Sequence, residues 1–183
     1  EMITVPTTAK KLAADIKGLD DASIVAAVRL ARYETVYRAG SQAYIMGWKP
    51  YAAADPDAPT IANIRAMVER ALAFLDVYGP KVLDGFTFEG GYTPTVATGD
   101  GDFTTADTLW DFKTSKLPIK KEHTLQLLMY WRMGLRSTHP EFRDVKFLGV
   151  YNPRTNVASR LAVADIPVDL IEEVERDVIG YVG

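Results

Sequence analysis

Between residues 99 and 130 the chain carries two aspartates, a lysine, a glutamine and a tyrosine whose spacing suits hydrolysis of a phosphodiester: Asp102, Asp111, Lys113, Gln126 and Tyr130. The runs Asp100 to Thr105 and Thr108 to Thr114 favour β structure, and Ala106-Asp107 reads as the tight turn between them. A turn centred there pairs residues whose numbers sum to 213, which sets Asp102 against Asp111 and Asp100 against Lys113. A symmetric widening of the turn keeps this register. Directly opposed carboxylates have Cβ atoms about 4.5–5.5 Å apart, which costs energy unless one is protonated or a cation lies between them. Two hard oxygen ligands on one hairpin point to Mg²⁺ or Mn²⁺. Side chains alternate along a strand, so Asp111 and Lys113 share a face and put an ammonium beside the cation position. The chemistry expected of this set is attack by a metal-activated water, with the metal charge on the developing oxyanion and Lys113 orienting or activating the water.

An acid two positions before a lysine also occurs at Asp15 and Lys17 and at Asp144 and Lys146, both of which read as solvated surface charge. Asp111 and Lys113 differ in lying in a β run, in facing Asp102, and in being followed by a helix on which Gln126 and Tyr130, at i and i+4, share a face. A glutamine there can hold a water or a phosphate oxygen, and a tyrosine can stack on a base or bond a phosphate. Phe103, Trp110 and Phe112 fall on the alternate face of the hairpin. Asp100 reads as a partner that orients Lys113.

The string Gly99-x-x-Asp102, Asp111-Phe112-Lys113-Thr114, Gln126-x-x-x-Tyr130 resembles the PD-(D/E)XK nuclease superfamily, and within it the RecB-type and phage-exonuclease-like nucleases. The resemblance implies a restriction-endonuclease-like core, with Asp102, Asp111 and the main-chain carbonyl of Phe112 as metal ligands. It implies Lys113 as the catalytic lysine, and Gln126 and Tyr130 as the helix pair that supports the site. It further implies a Mg²⁺-dependent deoxyribonuclease, an exonuclease of DNA recombination, repair or phage origin. The family's additional upstream acid has three candidates, Glu69 first and then Glu34 and Glu89, each of which alone reads as surface charge. RecB-type members often carry a histidine in an upstream helix, and this chain has none before His123. That departure keeps a second reading open, a nuclease-like module that binds nucleic acid or protein without cleaving.

The elements that must position these residues read as follows. A helix is predicted over Asp21 to Ala39, capped by Asp20 or Asp21, then a loop over Gly47 to Pro59. A second helix runs from the cap Thr60 to Tyr78 and is stopped by Gly79-Pro80. Short strands are predicted at Phe86 to Glu89 and Thr93 to Thr98, ahead of the hairpin. A helix from Lys120 to Arg136 carries Leu127, Trp131 and Leu135 on one stripe. Strands at Val145 to Tyr151 and Val157 to Val163 flank the turn Asn152 to Asn156, and a last helix covers Val168 to Ile179. This order predicts one α/β domain over residues 1–183: a mainly helical part at 1–80, then a central mixed sheet, the hairpin and flanking helices at 81–183.

Composition sets the outer bounds. With 183 residues, 48% hydrophobic and 25% charged, the chain can bury one sizeable core. The absence of cysteine excludes disulfides, a thiol nucleophile and cysteine-ligated metal. No apolar run is long enough to span a membrane and the first residues lack a signal pattern, so a cytoplasmic protein with no membrane partner is expected. Net charge is −3, yet Lys113 to Arg136 holds six Lys or Arg against one acid, Glu122. The basic residues thus follow the proposed metal site, where phosphates of single- or double-stranded DNA would approach. DNA against RNA, exo- against endonuclease action, and a homo-oligomer or a partner domain of a longer chain stay open. His123 and His139 form no local metal pair, Asp100-Gly101-Asp102 lacks the rest of a calcium loop, and Arg154 reads as an exposed turn residue. Trp48, Trp110 and Trp131 read as packing residues.

Overall fold

The computed structural model describes residues 5–34 and 54–182, which gather into two compact units, Glu1–Glu69 and Arg70–Gly183. The end of the predicted first helix, Trp48 and most of the Gly47 to Pro59 loop lie outside the described residues. In the first unit, α1 (Val5–Asp15) contacts α2 (Asp21–Ala31). Asp20 caps α2 as expected: its carboxylate accepts the Ser23 N–H at 3.0 Å and the Ser23 hydroxyl at 2.8 Å. Helix α3 spans Ala58–Tyr78 and begins before Thr60. The cap is Asp57, whose carboxylate accepts the Thr60 N–H at 2.9 Å, so Thr60 is a helical residue rather than the cap assigned to it from sequence. Arg65 joins the start of α3 to the start of α2 by donating to the Leu19 carbonyl at 2.8 Å and to the Asp21 carboxylate.

The second unit is an α/β layer structure built on a five-stranded mixed sheet in the order β1-β2-β3-β4-β5. Its strands are β1 (Leu83–Thr87), β2 (Asp100–Thr104), β3 (Thr108–Phe112), β4 (Phe147–Asn152) and β5 (Val157–Ala162). β3 and β4 run parallel, the other neighbours antiparallel. The parallel pair requires a crossover, which α4 (Lys121–Gly134) supplies. Both strands of that pair are buried on two faces, as a covered parallel pair must be. On one face Leu127, Leu128 and Trp131 of α4 join Leu109, Leu148, Val150, Phe86 and Phe88 in a core that the C-terminal helix completes through Val174 and Ile179. On the other face the last turns of α3 lay Phe74 against Phe103, Trp110 and Tyr151. Gly149 makes room here: a Cβ on it would lie 2.4 Å from Trp110.

Two expectations need correction, and the last helix has its predicted span. Residues Thr93 to Thr98 form no strand. The Thr93 hydroxyl accepts the N–H groups of Thr95 and Val96, and the Thr93 N–H meets the Val96 carbonyl, so a threonine that favours strands by type closes a local turn instead. β1 starts earlier than predicted, at Leu83, and tolerates Gly85 at φ +61 inside it. The last helix, α5 (Val168–Glu173), widens into a π-helical stretch at Val174–Ile179 that ends on left-handed Gly180. Through that stretch Glu175 reaches Arg132 at 2.8 Å and Arg136 at 2.5 Å, fixing the chain end to α4. Among the described residues no helix is long and apolar enough to cross a membrane.

Candidate active site

The hairpin has the register read from its turn. β2 and β3 pair at Phe103 with Trp110 and at Thr104 with Leu109, and one more step outward sets Asp102 opposite Asp111. The backbone ladder stops at this step. Phe112 N–H, which would continue it, donates instead to the Asp102 carboxylate at 2.7 Å. An extended residue directs its N–H and its C=O to the same neighbouring strand, so the Phe112 carbonyl also opens toward β2 and Asp102. Lys113, the next residue, gives its N–H to the Tyr151 carbonyl on the β4 side, as alternation requires.

Asp111 is 6% exposed, on the face of the sheet that α4 covers. One carboxylate oxygen accepts the Lys113 ammonium at 2.9 Å; the other, Oδ2, is buried and has no hydrogen-bond partner. Burial pushes the pKa of Asp111 above the ordinary carboxylate value, and the neighbouring Asp102 charge adds to this, while Lys113 and His123 pull the other way. The ammonium of Lys113 reaches further, to Gln126 Oε1 at 3.2 Å, and Gln126 Nε2 donates to the Tyr130 hydroxyl at 2.9 Å. Asp111, Lys113, Gln126 and Tyr130 therefore form one continuous chain of polar contacts from β3 to α4. Tyr130 is held by Phe88, at 4.8 Å between ring centroids, and lies beside Gly99, where a Cβ would come 3.6 Å from the tyrosine ring. The glycine that opens the resemblance string thus lies beside the tyrosine that closes it.

No family model, curated protein or solved structure matches the chain. What the site can do therefore follows from its own groups.

The three candidates for the upstream acid differ in setting. Glu34 and Glu69 belong to the first unit, Glu69 as an exposed residue of α3. The Glu89 carboxylate takes the Thr87 hydroxyl at 2.6–2.7 Å, and His139 beside it lowers its pKa further. Among the described residues no group of three or more His, Asp or Glu gathers around a metal position. Asp100 lies at the start of β2 opposite Thr87. His123 is the residue that sequence reasoning passed over. Its spacing from His139 forms no metal pair, yet it stands close enough to Asp111 to act on that carboxyl. Its Nδ1 accepts the Lys120 N–H at 3.3 Å, which leaves Nε2 as the ring donor. The signal was present in its spacing: residues 123, 126 and 130 lie at i, i+3 and i+7, one helix face.

Proposed function

We propose that this chain is a Mg²⁺- or Mn²⁺-dependent nuclease that hydrolyses phosphodiester bonds of DNA, with a restriction-endonuclease-like core of the PD-(D/E)XK, RecB-like type, and that it acts as an exonuclease. The observation that carries this reading is the buried, unpartnered Oδ2 of Asp111 beside the Asp102 carboxylate, with Lys113 held at the same carboxylate. A buried carboxylate oxygen without a donor is costly, and a cation is the partner that would relieve it. The donors present are all hard oxygens: Asp111 Oδ2, the Asp102 carboxylate and the Phe112 carbonyl. They fit Mg²⁺ or Mn²⁺, which take a few carboxylates and keep several waters. When bound, such an ion supplies positive charge for the phosphoryl oxygens and makes a water more acidic.

The chain's own groups do the rest. Two of the three ammonium protons of Lys113 are committed to Asp111 and Gln126, which orients the third for a phosphate oxygen or an incoming water. Gln126, itself tethered by Tyr130, is a positioning residue acting through Lys113. The basic stretch Lys113 to Arg136 supports approach of a polyanion. A binding module without cleavage is the second reading, favoured by the pairing of only two carboxylates among the described residues.

Purified protein is expected to shorten end-labelled linear DNA in Mg²⁺ or Mn²⁺, to stop in EDTA, to resume when Mn²⁺ is restored in excess, and to spare closed circles. Inertness on single- and double-stranded DNA in both metals, with DNA still bound, would establish the module instead. Gln126→Ala should lower the rate about tenfold while lowering the unfolding free energy by only about 1–2 kcal/mol, because it removes two part-buried hydrogen bonds. Gln126→Glu, which keeps an acceptor for Lys113, should recover part of the rate. Equal rates for Gln126→Ala and wild type in a single-turnover assay would remove Gln126 from the positioning role.

A further inference from the structure

Beside Lys113 the loop that follows β3 and the turn between β4 and β5 enclose a cavity of about 520 Å³. One wall is Ser115 to Ile119, the other is formed by Thr155 and Val157, and Val150 of β4 lies between them. The walls are tied together rather than merely adjacent. Asn152 donates to the Ser115 carbonyl at 2.6 Å and accepts the Arg154 N–H at 3.0 Å, while the Ser115 hydroxyl accepts the Leu117 N–H at 2.9 Å. Both loops are thereby fixed against each other.

The cavity has two chemical halves. Leu117, Ile119 and Val157 present apolar surface and are 60%, 41% and 52% exposed. Lys113, Lys116 and His123 line it as well, and none of its lining residues among those described is acidic. Lys116 makes no hydrogen bond or ion pair with any described residue, and Nε2 of His123 is left as a donor by the contact that Nδ1 makes. A ligand that satisfies this set is anionic at one end and flat and apolar at the other, and the volume lies within the range of small-molecule sites. Nucleotides have that character, and bases pack readily on apolar and cationic surfaces.

We propose that this cavity binds one nucleotide of the substrate strand, the one beside the scissile phosphate, with its phosphate on Lys116 and His123 and its base against Leu117, Ile119 and Val157. The assignment rests on the nuclease reading for its substrate class, and its test is independent of cleavage. Isothermal titration in EDTA compares 2′-deoxyadenosine 5′-monophosphate, deoxyadenosine and inorganic phosphate on the full chain. The nucleotide should bind at least tenfold more tightly than either of the other two. Ile119→Asp and Lys116→Glu should each weaken it tenfold or more with unchanged unfolding midpoints, since both side chains are exposed. Nucleoside binding as tight as nucleotide, phosphate binding as tight as nucleotide, or indifference to Ile119→Asp would each overturn the site. Nucleotide binding by a chain that never cuts DNA would refute the nuclease and leave the cavity assigned. Cleavage without nucleotide binding would refute the cavity alone.

Discussion

Asp111→Asn is expected to cut DNA hydrolysis by about 10³-fold or more while leaving the fold as stable as before or more so. The activity loss follows from removing a charged oxygen from the carboxylate that holds Lys113 and from the proposed cation set. The stability effect follows from the position of the charge. Asp111 is buried, its Oδ2 lacks a donor, and desolvation is the largest influence on its pKa, which is raised above the ordinary 3.8. A carboxylic acid whose folded pKa is raised favours the fold when protonated. Its contribution is fully present below 3.8 and is lost as pH rises through the raised value. Asparagine does not titrate, so the difference between variant and wild type should be near zero in acid and grow toward neutral pH. There Asp111→Asn should be the more stable of the two, because it removes the buried negative charge whose desolvation opposes folding. Urea unfolding at acid and neutral pH measures this directly. Added Mg²⁺ should raise the melting temperature of the wild type and not of the variant, since a ligand stabilises only the state that binds it. A variant that keeps a tenth of the wild-type rate, or one that is destabilised at neutral pH, would contradict this account of Asp111.

Trp110→Ala is expected to cost about 3–5 kcal/mol, enough to leave the second unit largely unfolded or close to it. Trp110 is 1% exposed and packs edge-on against Phe74 and Tyr78, with ring centroids 4.7 and 4.9 Å away. Its indole N–H donates to the Thr105 hydroxyl at 3.1 Å, so truncation empties a large volume and also leaves a buried hydroxyl with one partner fewer. The strand cannot collapse into the gap, because β3 is held by β2 on one side and by five pairs to β4 on the other. A urea titration should show the midpoint fall with the slope unchanged. A loss under ~1 kcal/mol would mean that the cavity closes by repacking, with the aromatic cluster of Phe74, Phe103 and Tyr151 shifting into it.

Much of the site was legible because it depends on short-range geometry. The register of β2 and β3 follows from a turn of fixed length, so counting outward from Ala106-Asp107 was enough to oppose Asp102 and Asp111. Turn closure at Thr93 was not legible, because the same residue type serves a strand through its β-branch and a turn through its hydroxyl, and only the local backbone chooses. The start of α3 was misplaced for a similar reason: Asp57 and Thr60 are both good caps, and the one that lies outside the helix does the capping.

Strand alternation alone puts Asp111 and Lys113 on one face, and helical spacing alone puts His123, Gln126 and Tyr130 on another. Neither periodicity states that the two faces meet. They meet because Leu127, Leu128 and Trp131 bury themselves against Leu109, Leu148 and Val150, which brings Gln126 to 3.2 Å from the lysine ammonium. The same packing buries Asp111, which shifts its pKa upward and leaves one of its oxygens without a donor. Which residues could do chemistry is thus a property of types and local spacing. Whether they meet around one buried carboxylate is decided by long-range apolar packing, because burial depends on partners far away in the chain.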